Sequence, residues 1–172
     1  MNKRDLLTMG AGMLLTAGGW LPTSRARDRS GSHALDGTNL NWSHAGGQLH
    51  IRFDAPTKGW IAVGFNENRR LKGTHFVIAA VDGGAVRIEE HVALVPDHVA
   101  VQNLGIPPAL GNASVSLNDS RSYLAFSLPH TLPHRPELPL APGSRVHMML
   151  AWSHSPDFDH HSAWRRHVDI VL

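Results

Sequence analysis

The feature that most constrains this chain is a succession of short apolar runs, each of strand length and each closed by Gly, Pro, Asn or Asp. "LHIRFDA" alternates Leu49, Ile51 and Phe53 with His50, Arg52 and Asp54, the period-two pattern of a half-buried strand. "GWIAVGF" and "HFVIAAV" are continuous apolar runs, and "VRIEEHVA" follows the turn signal Asp82-Gly83-Gly84. "ASVSLND", "SYLAFSL", "RVHMMLAW" and "HVDIVL" complete the series. No stretch carries a convincing helical period, and prolines from Pro107 to Pro142 interrupt the chain too often for a long helix. The expected fold is all-β, a β-sandwich of eight or nine strands. The Pro-rich "LPHTLPHRPELPLAPG" reads as an extended connection between two of them.

The first residues have a different character. Lys3 and Arg4 precede a weakly apolar stretch, and "TSRA" ends in a small-x-small pattern, so residues 1–26 are expected to be an export signal peptide, twin-arginine-like or Sec. Residues 27–38 are polar and rich in Gly and Ser and read as a flexible lead-in, with one domain over residues 39–172. Removing Lys3, Arg4, Arg25 and Asp5 leaves 13 basic and 13 acidic residues of the original 16 and 14. The mature charge therefore gives no reason to invoke nucleic acid, and no direct membrane span remains after cleavage. A periplasmic or secreted location follows from the leader.

The chain has no cysteine, which excludes disulfides, thiolate metal sites and cysteine nucleophiles. It has 13 histidines, all beyond the leader. Four of them, His154 and the His160, His161 and His167 of "DFDHHSAWRRH", lie with Asp157 and Asp159 in one short segment, a supply of N and O donors suited to zinc or copper but in no recognised metal spacing. In an extended segment His160 and His161 would point in opposite directions, so one of them is expected to face any pocket. His44, His50, His91, His98, His130 and His134 read as solvated. Met148 is expected inward with Val146 and Leu150. Trp60 and Trp152 fit either a core or the mouth of a pocket. Arg69, Arg70 and Lys72 form a basic loop. No nucleophile elbow or phosphate loop is present.

The segments Gly59 to Phe65, Gly73 leading into Phe76 to Val81, and the strand ending at Trp152 with its following histidine pair resemble, in that order, the DOMON domain family. The resemblance covers about Leu35 to Leu172. It implies an all-β, immunoglobulin-like β-sandwich of about nine strands that binds a ligand at one end of the sandwich without catalysing a reaction. In the haem-binding members a haem b is held by a Met and a His, positions that fall on Leu71 and on His161, with His160 as the alternative. Leucine cannot coordinate iron, so His75 is a possible second ligand, and Arg70 a candidate partner for haem propionates. Trp60 would line the pocket. The resemblance further implies electron transfer with a redox partner protein or a membrane cytochrome. Two other readings stand beside it: a haem-free DOMON module for a sugar, another small ligand or a protein partner, and a histidine-rich periplasmic metal-binding protein using His154, His160 and His161.

Overall fold

A computed structural model describes residues 30–95 and 97–172. The expected signal peptide lies outside the described residues. Thirteen strands form among them: β1 (Ser30–Leu35), β2 (Thr38–Ala45), β3 (Gln48–Ala55), β4 (Ile61–Asn66), β5 (His75–Asp82), β6 (Ala85–Ala93), β7 (His98–Ala100), β8 (Gly111–Asn118), β9 (Arg121–Pro129), β10 (Thr131–Leu132), β11 (Arg135–Pro139), β12 (Arg145–Trp152) and β13 (Trp164–Val171). The one helical element among the described residues is a 3-10 turn at Val101–Leu104.

One sheet has the order β1-β2-β3-β9-β8 and the other β13-β12-β4-β5-β6-β7, with all pairings antiparallel. β10 and β11 make a separate small hairpin where an extended connection was expected. Residues 30–35, which composition assigned to the lead-in, form the edge strand β1. Asp36 (φ 50°) and Gly37 (φ 79°) turn it back onto β2, both central residues taking the positive φ that a tight hairpin of this hand requires.

The alternation in β3 is realised residue by residue. Leu49, Ile51 and Phe53 are buried between the sheets while Arg52 faces out. Each such buried side chain contributes about 1.5–3 kcal/mol of transfer free energy. Phe65 of β4 meets Phe126 of β9 edge to face with centroids 6.3 Å apart, which joins the two sheets at the centre of the core. Met148 is fully buried there with Val146 and Leu150.

The continuous apolar runs have a different cause. β4, β5 and β12 are buried on both faces over most of their length. Ile61, Val63, Phe65, Val77 and Ala79 face the other sheet, whereas Trp60, Ala62, Phe76, Ile78, Ala80 and Ala151 build a second apolar cluster on the outer face. A strand covered on one side reads as alternating, and a strand covered on both reads as unbroken apolar sequence. The outer face of the six-stranded sheet is therefore covered, and what covers it defines the site.

Candidate functional site on the outer face of the second sheet

The cover is the segment between β12 and β13, residues 153–163, and it is fastened to the start of β4. Trp60 donates its backbone N–H to the Ser155 carbonyl (2.9 Å) and accepts from Ser153 N–H (2.9 Å). Its indole Nε1 donates to the His160 carbonyl at 3.0 Å. Ser153 Oγ donates to the His161 carbonyl at 3.0 Å, and Thr57 Oγ1 donates to the Ser153 carbonyl. Gly59 makes this approach possible. A Cβ there would stand 2.3 Å from the Ser153 carbonyl oxygen and 2.6 Å from backbone atoms of His154 and Ser155.

Between cover and sheet is a cavity of about 380 Å³, within the roughly 300–1,000 Å³ typical of small-molecule and cofactor pockets. Its floor is Ala62, Ala93, Ala151, Phe76 and Ile78, with small side chains that leave the sheet surface nearly flat. Trp60, Leu71, Met149 and Phe158 form apolar walls. The polar lining is Asp97, His98, Asp159, His160, His161, Ser162 and Arg165. The pocket lies on a sheet face rather than at the end of the sandwich where the resemblance placed it.

Of the residues singled out from the sequence, the structure brings Trp60, His160 and His161 together in this pocket, along with Leu71. Both histidines line it because residues 157–163 turn rather than extend, the His160 N–H closing onto the Asp157 carbonyl at 3.1 Å. His75 is not brought there. It opens β5 on the same face as Val77 and Ala79, turned inward, while its neighbour Phe76 faces the pocket. Arg70 is exposed and does not line the cavity; its carbonyl accepts from Asn66 Nδ2 at 2.7 Å. The basic side chain that does line it is Arg165, which donates to Ser162 Oγ at 3.1 Å. His154 is exposed and packs against Trp152, and His167 stacks on His147, so neither joins the pocket.

Two histidines read as solvated belong to the site. His98 lines the pocket, its ring set edge-on to Phe76 at 5.2 Å. Its Nδ1 is 2.9 Å from Nδ1 of the buried His91, whose Nε2 is 2.9 Å from Glu89 Oε2. Burial lowers the His91 pKa against the opposing pull of the Glu89 hydrogen bond. Desolvation works to raise Glu89, yet the hydrogen bonds from His91 and Arg87 hold its carboxyl below the ordinary range. A carboxylate and a neutral imidazole thus orient the pocket imidazole of His98, the arrangement that fixes the tautomer of a ligating histidine. Met149, the residue after the inward Met148, necessarily faces outward and supplies a thioether to the same cavity.

The site therefore combines imidazoles, a thioether, flat apolar walls and one cation. That set of donors fits a haem: nitrogen and sulfur ligands for the iron, aliphatic surface for the macrocycle, and Arg165 for a propionate.

Two antiparallel sheets in this order, packed face to face, make an all-β, DOMON-like sandwich. One solved structure to which the chain is similar is the cytochrome b domain of pyranose dehydrogenase from Coprinopsis cinerea, with a TM-score of 0.60 and 10% sequence identity over 81% of this chain and 80% of that one. No family model matches the sequence, and no curated protein matches it.

Proposed function

We propose that the domain binds haem b in the outer-face pocket and serves as a non-catalytic electron-transfer module. The observation that carries this reading is the convergence of His160 and His161 with Leu71 on one cavity, since these are the two places where the resemblance puts axial ligands. The name of the structural relative, a cytochrome b domain, supports the same conclusion. Bound there, haem b supplies reversible one-electron iron chemistry. His161 is the first candidate for the axial imidazole and His160 the second. Because Leu71 cannot ligate, a six-coordinate iron would take its other ligand from Met149 or His98, both of which line the cavity. His75 faces away from it.

What the chain itself contributes is binding and orientation. Trp60 holds the loop that carries the histidines, the alanines leave a flat apolar floor, and Arg165 offers a charge-assisted hydrogen bond from the lining. Among the described residues no helix is long and apolar enough to cross a membrane. An export signal in residues 1–26 would place the module in the periplasm or outside the cell, where a redox protein or a membrane cytochrome would exchange electrons with it. Haem titration of the purified chain tests the reading. A sharpened Soret band with one-to-one stoichiometry supports it, and a spectrum that stays that of free haem refutes it.

A further inference from the structure

The inward face of β5 and β6 holds a second cluster, apart from the haem pocket. His75 is fully buried and the Glu90 side chain is 1% exposed, with His75 Nε2 3.3 Å from Glu90 Oε1. His134, on the turn between β10 and β11, brings its Nε2 to 3.2 Å from His75 Nδ1. One donor atom from each of the three residues lies within 4.8 Å of the others.

Two features separate this cluster from an ordinary buried polar network. First, Glu90 is aimed: its Oε2 accepts from the Ala109 and Leu110 N–H groups at 2.8 and 2.9 Å, which leaves Oε1 directed at His75. Second, His75 Nε2, Glu90 Oε1 and His134 Nδ1 are all buried with no hydrogen-bond partner. A buried polar atom without a partner is costly, and unsatisfied atoms on three neighbouring side chains call for a further group to satisfy them. Arg135, the nearest cation, is turned away onto the Gly73 carbonyl and Glu137.

We propose that His75, Glu90 and His134 bind a divalent transition-metal ion, zinc by the chemistry of the donors. Two imidazoles and one carboxylate with room for a water form a common zinc ligand set. Burial, with help from His134 and Arg135, drives the His75 pKa down to about 3, so its imidazole is neutral and able to ligate across the ordinary pH range. Bonds of about 2.0–2.2 Å need donors about 3.3 Å apart. The His75–Glu90 pair meets that separation, and His134, half-buried on its turn, is the ligand that moves to complete it. The ion would tie β5 and β6 to the β10–β11 hairpin, stabilising one end of the sandwich.

The test uses the purified chain after chelator treatment, titrated with Co²⁺ and Zn²⁺, alongside His134→Ala, Glu90→Gln and the His160→Ala/His161→Ala double variant. The proposal expects one Co²⁺ per chain with the visible absorption of a tetrahedral site, displaced by Zn²⁺, and a higher Tm with Zn²⁺. His134→Ala should weaken binding by more than about 100-fold, because even outer partners of a ligand are worth 10–100-fold. The double variant should bind the ion as the parent does. His134 lies on a turn, so this variant's metal-free Tm should stay close to the parent's. No tetrahedral Co²⁺ spectrum, or an affinity unchanged in His134→Ala, would overturn the proposal, whatever the outcome for haem.

Discussion

The indole Nε1 of Trp60 donates a 3.0 Å hydrogen bond to the main-chain carbonyl of His160, so a side chain at the start of β4 holds the backbone of the loop that carries the histidine pair. The bond couples a wall of the pocket to its cover. Trp60→Phe keeps most of the apolar contact and deletes the donor. It should lower stability by about 1 kcal/mol, the usual net worth of one hydrogen bond. Haem affinity should fall several-fold as well. Denaturant titration and haem titration of the same sample measure the two effects, and unchanged affinity would show that the loop needs no such tether.

Gly59 sets the distance between that loop and the sheet. All three nearest atoms to a Cβ at this position belong to backbone, so none can swing aside as a flexible side chain would. Gly59→Ala should cost about 1–3 kcal/mol, the range of overpacked sites, and should displace residues 153–155. Hydrogen exchange at the Trp60 and Ser153 amides reads the displacement, and protection equal to the parent's would contradict it.

A paired substitution separates pocket from core. Ala62 and Ala79 are both almost fully buried in the same sheet, but Ala62 faces the cavity and Ala79 the packed interior. Ala62→Leu has empty space to enter and should block haem uptake with little change in Tm. Ala79→Leu has none and should destabilise by about 1–3 kcal/mol. Equal Tm losses would mean that the outer cavity does not exist in solution.

Acid should destabilise the chelator-treated protein. Burial holds His75 down to about 3 from its ordinary 6.5, and burial also lowers His91, His134 and His167. The unfolded chain then takes up protons near pH 6.5 that the folded chain refuses. Stability is complete above that pH and is lost as pH falls from 6.5 toward 3, at about 1.4 kcal/mol per pH unit from His75 once the unfolded histidine is fully protonated. Urea midpoints at pH 7 and pH 5 check this. Equal midpoints would contradict the burial of these imidazoles.

The sheets were legible because burial imposes its period directly on sequence, as Leu49, Ile51 and Phe53 show. β1 was not, because an edge strand of Ser, Gly, His and Ala is held by pairing with β2 rather than by apolar burial, and its composition imitates a linker. Its turn was nevertheless written in the chain: Asp36-Gly37 is a strong hairpin signal. The inward direction of His75 was also readable, since it stands at even spacing from Val77 and Ala79. His91 and His98 carry no such mark. His91 is buried because Phe158, more than sixty residues on, folds over the same face, its ring 6.3 Å from the His91 ring. No local pattern encodes a contact between segments so far apart.

The most direct test of the account is the visible spectrum of the purified chain titrated with haem, beside the His160→Ala/His161→Ala double variant. The account expects the parent to bind one equivalent with a sharp Soret band and the double variant to lose most of that affinity while keeping its Tm. A parent whose titration shows only the spectrum of free haem, or a double variant whose spectrum and affinity match the parent's, would contradict it.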